Sequence, residues 1–118
     1  MAEQPLYFFA VYAPDYTDAD APARRLAVRP QHLANAKVQR EKLNIIRLGG
    51  ALISPDSYQS DERKMIGSMG VYQAASLEAM WEIIKSDLYW TGNVWDKEKT
   101  VVFPYQPAFP LPTNPPAQ

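Results

Sequence analysis

Cysteine is missing from the 118-residue chain, and histidine occurs once, at position 32. Without thiols, disulfide scaffolds, thiolate zinc sites, iron–sulfur clusters and cysteine nucleophiles are excluded. With one imidazole, a multi-histidine metal site would need a second subunit. An excess of charge is missing too: 12 Lys and Arg stand against 13 Asp and Glu, a net charge of −1. That balance leaves no electrostatic footprint for nucleic acid. No stretch approaches the roughly 18 apolar residues that span a bilayer. Met1 to Pro5 carry an acid and no basic segment ahead of a short apolar run, so no secretory signal is expected and the chain reads as cytoplasmic. There is no G-x-G-x-x-G and no G-x-S-x-G elbow, and Gly67-Ser68-Met69-Gly70 lacks the strand–helix setting of a phosphate cradle. No carboxylate–histidine cluster has metal-ligand spacing, so neither a metal nor a cofactor is expected.

What remains is an ordinary globular composition, 47% hydrophobic, in a chain of about one domain. Leu6–Ala13 (LYFFAVYA), between Pro5 and Pro14, is a short aromatic and aliphatic run that suits a buried strand. Ala23–Lys42 is helical in character. Pro30 predicts a break there, because proline excludes the helical conformation from the residue before it and opens new helices well. A short helix over Ala23–Val28 and a longer one from Pro30 to about Lys42 are therefore expected. Ile45–Ile53 predicts a second strand, with Gly49-Gly50 marking a bulge or a close approach. Ser54–Lys64 is a polar loop, and Met65–Ala74 is the third strand. Ser76 is a good N-cap, and Leu77, Met80, Trp81 and Ile84 fall at i, i+3, i+4 and i+7, which predicts an amphipathic helix over Leu77–Lys85. An aromatic connection follows, then a last strand over Lys99–Tyr105. Six of the 11 prolines lie in Pro104–Gln118, so residues 106–118 form an extended tail outside a single domain of residues 1–105. Cutting the chain at Tyr105 should leave that domain folded.

The order β, α, β, β, α, β is that of a split-βαβ, ferredoxin-like α+β fold: a four-stranded antiparallel sheet with helices on one face. The strands are apolar on both faces, Leu6 to Phe9 and Val11 being nearly continuous. A doubly apolar sheet needs a second cover. The helices supply one, and a homodimer pairing its sheets face to face would supply the other.

ARRLAVRPQHL (Ala23–Leu33), paired glycines at Gly49-Gly50, Gly67-Ser68-Met69, Ser76-Leu77-Glu78, SDLYWTGNVW (Ser86–Trp95) and Phe103-Pro104 together resemble the YCII-related family over about residues 6–105. The resemblance implies a ferredoxin-like fold that dimerises into an α+β barrel, with a histidine–aspartate pair in a cleft beside the sheet. It assigns the histidine to His32 and the aspartate to Asp87, with Leu88 where the family usually has proline. It also implies kinship with a branch that eliminates chloride from a chlorinated muconolactone.

His32 has a side chain suited to moving protons near neutrality, or else it is a packing histidine. Asp87 directly follows a helix, where a carboxylate sits poorly with the negative C-terminal end. It therefore points to another partner, to a turn that stops the helix, or to both. Arg24 or Arg25 could grip a substrate carboxylate or pair with Asp15, Asp18 or Asp20. Arg25 and Arg29 fit the family pattern best. Trp90 and Trp95, in a loop, are candidates for a pocket wall or an interface. The reading is a cofactor-independent small-molecule enzyme of isomerase or lyase type acting on a lactone or enol acid. In it His32 and Asp87 transfer a proton, Arg25, Arg29, Trp90 and Trp95 bind substrate, and no nucleic acid or membrane takes part. The alternative is a non-catalytic dimeric module that binds an apolar metabolite.

Overall fold

The computed structural model describes residues 5–112, so the end of the proline-rich tail lies outside the described residues. The elements run β1 (Tyr7–Pro14), α1 (Ala21–Glu41), β2 (Ile46–Ile53), β3 (Met65–Ala74), α2 (Leu77–Ser86), α3 (Leu88–Thr91) and β4 (Val101–Pro104). All neighbouring strands are antiparallel, in the order β2-β3-β1-β4. This is the expected split-βαβ order, with the two inner strands carrying the longest apolar runs.

Alternation along β1 separates the two faces. Phe9, Val11 and Ala13 are buried in one cluster with Met80, Ile84, Tyr89, Val94 and Trp95, and this is the core beneath α2 and α3. On the opposite face Tyr12, paired with Met69 and Val101, is half exposed. Leu48 and Phe103 extend that bare apolar patch across the sheet. Among the described residues no helix is long and apolar enough to cross a membrane.

Three expectations need correcting. The helix does not break at Pro30: α1 is one helix of 21 residues with proline inside it. Proline removes one rung, the one that Leu26 would accept. Leu26 is exposed, so water can serve its carbonyl and the missing bond is tolerated. The aromatic connection contains a further short helix, α3, capped by Asp87. The last strand is also shorter than expected, because the N–H groups of Lys99 and Thr100 turn back onto the Asp96 carbonyl. The N–H of Tyr105 still donates to Phe8, and no helix or strand follows as far as Pro112. Asn44 and Asn93, with φ of 56° and 58°, take the left-handed position just beyond α1 and α3, where asparagine can stand in for glycine.

Candidate active site

Between α1 and the β2–β3 side of the sheet lies a cleft of about 380 Å³. Positions 25, 29, 32, 36 and 40 recur at helical spacing and bring Arg25, Arg29, His32, Ala36 and Arg40 to its helix wall. On the sheet side Gly49 faces Gly70 across β2 and β3, so the floor there carries no side chain. A Cβ on Gly70 would stand 2.6 Å from the Leu48 carbonyl oxygen and 2.9 Å from Cε1 of Tyr72. Glycine is required at that point, and the Tyr72 ring leans over it.

At the inner end, His32 Nδ1 lies 2.8 Å from Asp87 Oδ1. The same oxygen accepts the backbone N–H of Tyr89 at 2.8 Å. The carboxylate therefore caps α3 and holds the imidazole at once. Its place after α2 is explained by the short helix that it begins, since carboxylates suit helix N-termini. An ionised carboxylate only accepts, so Nδ1 carries the proton and, in the neutral ring, Nε2 keeps its lone pair. The imidazole stacks on Tyr89 with centroids 3.7 Å apart and planes 15° from parallel. Trp95 meets it edge-on at 6.3 Å. The ring is thus fixed by one hydrogen bond and two aromatic contacts.

Arg25 is 3% exposed, and its guanidinium is already engaged. Nη1 donates to both Asp15 carboxylate oxygens at 2.9 and 3.0 Å, and Nη2 donates to the Gly67 carbonyl and to Ser68 Oγ, each at 3.2 Å. Its Cζ also sits 4.5 Å above the Tyr89 ring. Burial pushes the Asp15 carboxyl above its ordinary value, with the guanidinium pulling the other way. Burial likewise raises the phenols of Tyr72, with the Asp87 charge adding to it, and of Tyr89. Both therefore stay protonated across the physiological range.

The structure brings His32, Asp87, Arg25, Arg29 and Trp95 together around one end of the cleft. Trp90 is not among them. It packs edge-on against Trp81, centroids 6.2 Å apart, in a separate groove outside α2. Its place in the chain sets it one residue past Tyr89 on a helix, and so on a different face. Arg24 pairs with exposed Asp18 at 2.7 Å, the plainer of its two expected roles. Arg25 holds Asp15 instead of presenting its fork to a ligand, whereas Arg29 lines the cleft and makes no hydrogen bond or ion pair among the described residues. Sequence reasoning missed Ser68, while Tyr89 stands with Trp90 and Trp95 among the loop aromatics that could wall a pocket. A polar serine in the buried register of a glycine-flanked strand was the available signal for Ser68. Among the described residues no three His, Cys, Asp or Glu side chains gather as a metal site.

The YCII-related domain family matches residues 7–104. A curated relative, aspercryptin biosynthesis cluster protein B of Emericella nidulans, is 31% identical over 83 residues, covering 70% of this chain and 53% of that protein. The chain thus spans about half the length of that relative. A solved structure with a similar fold is 5-chloro-2-hydroxyhydroquinone dehydrochlorinase from Burkholderia phenoliruptrix AC1100 in complex with 2,5-dihydroxybenzoquinone. Its TM-score is 0.66 at 19% identity, covering 84% of this chain and 93% of that one.

Proposed function

The chain belongs to the YCII-related family, and from that premise we propose that it is a small-molecule enzyme moving a proton between His32 and a carbonyl-bearing substrate. The observation that carries the reading is the His32–Asp87 hydrogen bond at 2.8 Å inside the cleft, with no hydrogen bond to the second ring nitrogen among the described residues. His32 Nε2 takes a hydrogen from the carbon beside a carbonyl. The C–H bond breaks, an N–H bond forms, and Asp87 stabilises the imidazolium. The released electron pair then collects a proton at another carbon, an isomerisation, or expels a leaving group from the neighbouring carbon, an elimination. Neither course calls for a cofactor. Arg29, half-buried on the helix wall of the cleft, holds an anionic group of the substrate, as guanidinium geometry allows. A lactone or enol acid fits these demands. So does a hydroxyquinone of the kind bound by the dehydrochlorinase of similar fold.

The test is deuterium exchange. Lactones and enol acids are incubated with the protein in D2O, and mass spectrometry reads label at the carbon beside the carbonyl. Exchange above the buffer rate that disappears in His32→Gln is the expected result. If no compound exchanges while 2,5-dihydroxybenzoquinone still binds, the chain is a binding module instead.

The bare sheet face belongs to the same proposal. Phe103 is 62% exposed, and Tyr12, Leu48 and Met69 are each about half exposed. Such a contiguous apolar face marks an interaction surface, and a second copy laying its own sheet upon it completes the barrel. Met69→Lys and Phe103→Lys together should convert a dimer into a monomer in analytical ultracentrifugation. A wild-type monomer at micromolar concentration would end that part of the reading.

A further inference from the structure

Ser68 stands on β3 in the register that faces the cleft. Its Oγ is approached by two donors, Arg25 Nη2 at 3.2 Å and Trp95 Nε1 at 3.1 Å. Guanidinium and indole N–H groups donate and cannot accept. Both contacts therefore occupy Ser68 as an acceptor, and a hydroxyl offers two acceptor positions and one proton. Among the described residues Ser68 donates to no acceptor. Its proton is left to point at whatever fills the cleft.

We infer that Ser68 is the hydrogen-bond donor to the substrate oxygen on which negative charge gathers, with Arg25 polarising it from behind. The inference rests on the proton-transfer reading above and names the class of substrate, one whose carbonyl becomes an enolate. As His32 Nε2 takes the proton, the C–H electrons enter a carbon–carbon double bond and the carbonyl pair moves onto oxygen. That oxygen accepts the Ser68 O–H, and no proton leaves the serine. The role also explains why a buried arginine is held so firmly by Asp15. Arg25 does not grip the substrate. It strengthens a donor that does, since hydrogen bonds in a chain polarise one another, and donors preset toward developing charge lower barriers most. The two walls divide the labour, the base on α1 and the oxygen-binding hydroxyl on β3.

The probe is 2,5-dihydroxybenzoquinone, whose ring oxygens accept hydrogen bonds and whose visible band reports on them. Wild type, Ser68→Ala and Ser68→Thr are titrated by absorbance, with thermal unfolding followed in parallel. Ser68→Ala should bind about tenfold more weakly, the order of one hydrogen bond to a charged acceptor, and lose the band shift seen in wild type. Ser68→Thr, which keeps the hydroxyl, should restore both. If Ser68→Ala binds with wild-type affinity and spectrum, the inference is overturned while the small-molecule reading stands. It is overturned equally if Ser68→Thr fails to rescue although both variants melt with wild type. If wild type neither binds the quinone nor exchanges any lactone or enol acid, the small-molecule reading falls and takes this inference with it. If it exchanges one of them without binding the quinone, loss of that exchange in Ser68→Ala and its return in Ser68→Thr is the expected result, and wild-type exchange in Ser68→Ala overturns the inference.

Discussion

The helical layer treats the two sides of the sheet differently. Over β1, β3 and β4, α2 and α3 close down: Met80 and Ile84 project one turn apart into the core, and Met80, Tyr89, Val94 and Trp95 are 2% exposed or less. Over β2, α1 buries only Ala21 and Arg25 in 21 residues. Apart from Leu33 and Ala36, the positions of α1 that line the cleft carry arginine, histidine, lysine and glutamate, where α2 carries methionine and isoleucine. With only Val28 packed on the core and Leu33 on the cleft wall, the helix has too few apolar anchors to close on the sheet by hydrophobic burial, so its near end is tied by polar bonds and the remainder spans a cleft. The openness follows from residues withheld as much as from residues present.

Four substitutions probe that contrast, in falling order of effect. Asp15→Ala leaves the buried Arg25 charge without its partner, and a broken buried pair costs roughly 3–5 kcal/mol. Urea unfolding should show that loss, and adding Arg25→Met should return much of it. An unchanged midpoint would mean that polar bonds do not anchor α1. On the packed side, Met80→Ala should cost about 2–5 kcal/mol through the cavity that it opens, with quinone affinity within about twofold of wild type. A coupled loss of binding would show that the two sides are one unit. On the open side, Arg29→Gln should leave stability within about 0.5 kcal/mol but weaken binding of an anionic quinone several-fold. The effect should shrink as salt is raised, because Arg29 is only half-buried and reachable by counter-ions. Asp18→Asn should do least. Arg24 holds the Asp18 carboxyl down to about 2. A lowered carboxylate stabilises the fold above its ordinary range and loses that contribution as pH falls toward its folded value. The variant should therefore match wild type near pH 2 and in high salt, and differ slightly at neutral pH and low salt.

The strand Met65–Ala74 was legible to the residue, because a ten-residue run rich in apolar groups and bounded by polar loops has one reading. The helix at Leu77 was legible for the same kind of reason, its stripe being unambiguous. The continuity of α1 was not, since Pro30 signals a break locally and only the exposure of Leu26 makes the lost rung harmless. Nor was α3, four residues long, whose existence depends on one aspartate oxygen serving two donors. His32 and Asp87 were named as a pair, and the structure places them in hydrogen-bond contact. Ser68 escaped because its significance lies in two donors from distant parts of the chain, and no spacing encodes them.

The loop Ser54–Lys64 divides the chain into two βα-containing halves, and the cleft is built along their seam. His32, Arg25 and Arg29 come from the first half; Ser68, Tyr72, Asp87, Tyr89 and Trp95 come from the second. Neither half alone holds the imidazole together with the carboxylate that orients it, and the sequence separation of 55 from His32 to Asp87 is spanned only when the halves dock. Assembling the cleft and completing the tertiary structure are thus a single event. A chain opened between Gln59 and Ser60 should regain ligand binding and cooperative unfolding together on mixing its fragments, or regain neither.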